Sequence, residues 1–158
     1  MDVKHEWLRH AVATVAYRAG KALRGAPASF AGFRPGPASR TPAQILAHMS
    51  DLFDWALSIA TGQERWATSS SLVWDDEVAR FFHKLEAFDA HLASGNALAG
   101  SPERLFQGPI ADALTHIGQL TMMRRLAEAP VKGENYFKAD IAVGRVGTAQ
   151  QPAAREFD

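Results

Sequence analysis

A chain of 158 residues with 17 Lys+Arg, 17 Asp+Glu and no cysteine fits one domain of ordinary size and excludes much chemistry at once. The missing cysteines remove disulfides, thiolate nucleophiles, iron–sulfur clusters and Cys-type zinc fingers, and a formal net charge of zero offers no general field for nucleic acid or an anionic membrane. With 47% hydrophobic and 22% charged residues the composition is that of a globular protein.

The longest stretch free of Asp, Glu, Lys and Arg is 13 residues, Ala90 to Pro102, and it is studded with His, Ser, Gly and Asn. A bilayer-spanning helix needs about 20 mostly apolar residues, so none is expected. The opening residues, MDVKHEWLRH, lack an apolar signal region. The expectation is a single cytoplasmic domain over residues 1–158, with no membrane or nucleic-acid partner.

Along the chain, Leu8, Val12, Val15, Ala19 and Leu23 form one apolar stripe and predict a helix over residues 2–24. Residues 25–40 then hold three Gly and three Pro and read as an extended connection, long enough to cross a bundle. Thr41, Pro42 and Gln44 announce a second helix: an N-cap, a proline at the first position and a capping-box glutamine. Ile45, Met49, Leu52, Ala56 and Ile59 are its stripe, and Gly62 its end. Trp74, Val78, Phe81, Leu85, Phe88 and Leu92 predict a third helix over 73–94, closed by Gly95. Ser101-Pro102-Glu103 reads as the cap of a short turn broken by Gly108, and Pro109 as the start of a fourth long helix running to Ala129. Beyond it the pattern fades, and residues 142–158 read as a loosely ordered tail. No strand-like alternation of useful length is present. Four amphipathic helices of about 20 residues give an all-α fold, most simply a four-helix bundle.

A bundle carries its chemistry on inward faces. His48 lies at the edge of the buried stripe of the second helix. On the fourth, Asp112 precedes His116 by four residues, which stacks the two side chains on one face. Two ligand-type residues at that spacing and a third from a facing helix supply three protein ligands, leaving positions for water or substrate. Two imidazoles and one carboxylate suit Zn²⁺, Ni²⁺ or Fe²⁺. A structural reading stands beside this one. Asp112 in the first turn after Pro109 is favoured by the helix dipole without any metal, and His48 then is a satisfied core histidine.

The remaining polar residues are less informative. His5 and His10 do not share a helix face, and His83 and His91, with Lys84, Glu86 and Asp89 nearby, read as a solvated surface. Arg124 and Arg125 suit a helix C-terminus, with an anionic substrate as the alternative. Asp51 and Asp54 read either as groups that orient His48 or as the polar side of their helix. Tryptophans 7, 55, 66 and 74 read as packing residues, with Trp7 or Trp55 able to wall a pocket.

The stretch TPAQILAHMSDLFDWAL, containing His48, resembles the second-helix motif of the DinB-like (DinB/YfiT) superfamily. ADALTHIGQLTMMRRLAEAPVKGENYFKADI resembles that family's last helix and following tail. The resemblance implies a four-helix bundle, a divalent metal held by three histidines near one end, and commonly a homodimer. It also implies a small-molecule substrate and a low-molecular-weight thiol such as bacillithiol or mycothiol, as in S-transferases and maleylpyruvate isomerase. The family's H-x-x-x-H-x-G-Q kind of pattern is matched here by His116, Ile117, Gly118 and Gln119, but Asp112 stands where the first histidine is usual. A carboxylate lowers the charge of a divalent site by one and makes it a poorer Lewis acid. The expected function is a metal-dependent thiol transferase with His48, Asp112 and His116 as metal ligands and no catalytic residue assigned beyond them. The alternative is a non-enzymatic or vestigial-site dimer that binds a small ligand.

Overall fold

The computed structural model describes residues 2–157. Its helices start and stop where the local chemistry directs. Helix α1 (Val3–Leu23) is capped by the Asp2 carboxylate, which accepts from the Lys4 N–H, and Gly25 follows it at a φ of 67°. Helix α2 (Pro42–Ala60) has the full capping box: the Thr41 hydroxyl accepts from Gln44 N–H, and the Gln44 amide oxygen accepts from Thr41 N–H. Helix α3 (Trp74–Ala93) carries Asp75, Asp76 and Glu77 in its first turn, and Gly95 at φ 74° takes the chain out of it.

Each long helix packs on two others. Helix α3 lies against α1 and α2, and α5 (Ala111–Leu126) lies against the same two from the other side. Helices α1 and α2 are therefore diagonal, and the 25–40 connection has to cross one end of the assembly. It does so through a one-turn 3-10 helix, Ala28–Gly32, whose Phe30 is buried edge-on against Trp74. The expected stripes all face inward. Leu8, Val12, Val15, Ala19 and Leu23 from α1, Met49, Leu52 and Ala56 from α2, and Phe81, Leu85, Phe88 and Leu92 from α3 form one buried core. The fold is all-α apart from one two-residue ladder.

The fourth rod departs from the expectation. It starts at Pro102 rather than Pro109. A short helix α4 (Pro102–Leu105) passes through a π-type turn (Phe106–Ile110) directly into α5. Gly108 does not break the rod. A proline ring collides with the carbonyl four residues back in an α-helix, and the wider turn accommodates Pro109 without interrupting the rod. At the far end α5 stops at Leu126, three residues short of the expected Ala129, and Glu128 adopts a φ of 59°.

The C-terminal segment, expected to be loosely ordered, returns along α1. Strands β1 (Gly133–Glu134) and β2 (Glu156–Phe157) pair antiparallel, Val146 is buried in the core, and Gln150 packs on Gly20 of α1. The buried Glu134 fastens this segment. Tyr17 donates to its Oε1 at 2.5 Å, and Lys21 Nζ lies 3.0 Å from Oε2. Burial and the adjacent carboxylate push the Tyr17 phenol well above its ordinary value. The folded chain thus holds that proton more tightly than the unfolded chain. The stabilisation is complete below about pH 10 and is lost as pH rises above it. Tyr17→Phe is expected to cost about 1 kcal/mol at pH 7 through the lost hydrogen bond. Urea unfolding midpoints followed from pH 8 to 11 should fall more steeply in the native protein than in Tyr17→Phe, and parallel curves would refute the assignment.

Candidate metal centre

Helices α2 and α5 face each other, and their side chains bring three donor groups to one point. His48 comes from the second turn of α2, whose register the capping box fixes. Asp112 and His116 come from the first two turns of α5. One carboxylate oxygen, Asp112 Oδ2, lies 3.5 Å from His48 Nε2 and 3.5 Å from His116 Nε2. The two imidazoles stand edge-on with ring centres 4.9 Å apart. All three donor atoms lie within 4.8 Å of one another, and all three residues are half-buried. Donors bound at about 2.1 Å in a tetrahedral site sit roughly 3.4 Å apart, so both carboxylate–imidazole separations fit one ion. This group can hold a metal ion.

The protonation states favour the same reading. His116 Nδ1 lies 2.8 Å from Gln119 Oε1. An amide oxygen only accepts, so in the neutral ring the proton sits on Nδ1 and the Nε2 lone pair is turned toward the site. Supporting hydrogen bonds of this kind are how metal-binding imidazoles are usually oriented. His48 is held below the ordinary histidine value, first by burial and then by His116, with the Arg40 charge acting in the same direction and Asp112 opposing. Its neutral form, the one that ligates, is favoured.

Several residues that the sequence left ambiguous fall into place around this centre. Asp51 makes no hydrogen bond to His48; it is buried and accepts from Ser69 N–H at 2.9 Å, which ties the 61–73 loop to α2. That loop carries Trp66 onto the His48 ring (5.7 Å between centres) and edge-on to Trp55 (5.8 Å). Asp54 pairs with Lys84 at 2.8 Å and is likewise not an orienting partner of His48. Of the four tryptophans only Trp74 is buried; Trp7 and Trp66 are exposed, and Trp55 walls a cleft with Gly108 and Asp112.

Arg124 is structural rather than an anion ligand. It is 4% exposed, and its guanidinium donates to the carbonyls of Ala22, Arg24 and Ala129, tying off the ends of α1 and α5. Asp89 is also reassigned: it is buried in a two-bond pair with Arg9 at 2.8 and 2.9 Å, a strut between α1 and α3. His5 is buried with Nε2 3.1 Å from Asn96 O, while His10 and His83 are exposed.

Three clefts open on the centre, one beside each donor. His116 lines a largely apolar cleft of about 700 Å³. His48 lines a hydroxyl-rich one of about 460 Å³ under the 66–71 loop. Asp112 lines the third, of about 350 Å³, beside Trp55. No protein-family model, no curated protein and no solved structure matches this chain. Among the described residues no helix is long and apolar enough to cross a membrane.

Proposed function

We propose that the protein is a divalent-metal enzyme of the DinB-like thiol-transferase type, acting on a small molecule. The observation that carries the reading is the convergence of His48, Asp112 and His116 on one point, with Gln119 turning the His116 lone pair inward. The resemblance of the two donor-bearing helices to that superfamily supports it. A divalent ion held there supplies Lewis-acid chemistry, favouring the deprotonated, nucleophilic form of a thiol or of water. The chain's own contribution is to fix the donors and to leave the remaining positions open to the clefts. Zn²⁺, Ni²⁺ and Fe²⁺ all suit two imidazoles and one carboxylate.

Activity is tested by loading the protein with Zn²⁺ or Ni²⁺ and presenting low-molecular-weight thiols with an activated aryl halide. Thioether formation that requires the metal and disappears in His116→Ala supports the reading. Turnover equal in the chelated protein would end it. A second reading, a ligand-binding bundle without turnover, is favoured by the Asp112 carboxylate, which weakens the Lewis acid relative to three imidazoles.

The resemblance also supports a homodimer, and Val3 and Trp7 at the α1 end expose apolar surface that a partner copy would cover. Light scattering is expected to give twice the 17.2 kDa chain mass at tens of micromolar. A single-chain mass would overturn that proposal.

A further inference from the structure

The largest cleft has an uneven chemistry. Pro35, Ile45, Met122, Met123 and Leu126 give it apolar walls, and His116 stands at one side. Arg40 is the single lysine or arginine in the lining, and no carboxylate lines the cleft. Among the described residues Arg40 makes no ion pair or side-chain hydrogen bond, whereas Arg9, Arg80 and Arg124 are fully engaged elsewhere. It also borders the second cleft, beside His48. The two clefts therefore share Arg40, one of them lined by His116 and the other by His48. An apolar trough with a single unpaired guanidinium in its lining is complementary to one kind of occupant.

We infer that this cleft binds the substrate, and that the substrate is an amphipathic small molecule whose apolar body lies along Met122, Met123 and Leu126 and whose carboxylate is held by Arg40. This deepens the proposed function and rests on it only for what happens at the metal; the cleft and Arg40 are features of the chain itself. A volume of about 700 Å³ is in the range of small-molecule sites. Arg40 is a positioning group: its planar donor fork fixes the carboxylate and thereby which atom of the substrate lies next to His116.

Gly118 provides a clean test. It lines the cleft on α5, and a Cβ built there meets nothing within 4 Å. A Cβ there meets no obstacle, and a leucine, the better helix former, adds apolar bulk at the cleft wall. The probes are 4-phenylbutanoate and its uncharged amide, 4-phenylbutanamide, titrated calorimetrically into zinc-loaded and metal-free protein. Zinc content is measured separately on every sample.

The expected result is that the carboxylate binds more tightly than the amide. Arg40→Gln should weaken the carboxylate by about tenfold or more and leave the amide unchanged. Gly118→Leu should abolish binding of both at unaltered zinc content. Equal affinities for carboxylate and amide, or undiminished binding in Gly118→Leu, would overturn the inference. Carboxylate binding in a protein that takes up no zinc would uphold it while removing the proposed function; zinc uptake with no binding of either probe would do the reverse.

Discussion

The native protein is expected to take up one Zn²⁺ per chain, and His48→Ala to lose that ion. His48 is the one donor supplied by α2, and without it the centre is reduced to an i, i+4 pair on a single helix. Two donors on one helix hold zinc far more weakly than three donors from two helices. A loss of about 100-fold or more in affinity is expected, since even supporting residues of metal ligands cost roughly 10–100-fold. Folding reports the same event. A ligand at about 100 times its dissociation constant stabilises the native state by about 2.7 kcal/mol. For a domain of this size that raises Tm by very roughly 5–10 °C. The zinc-dependent rise should vanish in His48→Ala while its metal-free Tm changes little, because the half-buried imidazole lies outside the core cluster. Metal analysis of dialysed samples and thermal scans with and without Zn²⁺ give both readouts. Stoichiometric zinc retained by His48→Ala would take His48 out of the centre.

The parts of this structure that a sequence discloses are those governed by short-range rules. The stripe Leu8–Val12–Val15–Ala19–Leu23 and the Thr41–Gln44 box act within one or two helical turns, so periodicity and capping residues sufficed to place α1 and α2. The convergence of His48, Asp112 and His116 was legible in part. Asp112 and His116 are four apart and so share a face of one helix, and His48 lies on the margin of an apolar stripe, whereas the docking of α2 on α5 that joins them is not a local pattern. The π turn was not legible. Gly108-Pro109 carries a strong break signal, and it is overridden because Leu105 and Ile110 are buried in the core on either side of it. The tail was hidden for a different reason: Glu134 meets Tyr17, a contact 117 residues apart in sequence that no local pattern encodes. Trp66 escaped likewise, being brought onto His48 by a loop anchored through a backbone N–H to Asp51. Gln119 was within reach of sequence reasoning, since a polar residue three positions after a helical histidine is its neighbour. Asp89 was misplaced because its partner Arg9 lies on another helix, and a buried ion pair looks like surface charge until the helices are docked.

Asp112 decides between a metal centre and a helix-end carboxylate. The second reading needs Asp112 to sit among unpaired N–H groups at a helix N-terminus, where a carboxylate is worth about 0.3–1 kcal/mol. The rod does not start there. Residues 102–110 are already helical, its N-cap is Ser101, and Ser101 Oγ accepts from Arg104 N–H. Asp112 lies inside a continuous helical rod, two turns past the end where the dipole acts, so that account of it loses its physical basis. What Asp112 does face is the pair of imidazole nitrogens, each 3.5 Å from one of its oxygens. Asp112→Ala is accordingly expected to weaken Zn²⁺ and Ni²⁺ binding by a factor of about 10 or more, with a change in metal-free stability within about 0.5 kcal/mol. Asp112→His should retain or tighten both ions, because imidazole is the softer donor and suits them well. It should also raise the charge of the loaded centre by one, favouring deprotonation of a thiol or water there and improving turnover near neutral pH if transfer is rate-limiting. Calorimetric titration of the three proteins with each ion, alongside urea unfolding of the metal-free forms, separates the two accounts. Equal affinities in all three proteins would show that the Asp112 carboxylate is not a ligand, whatever its distance from the two histidines.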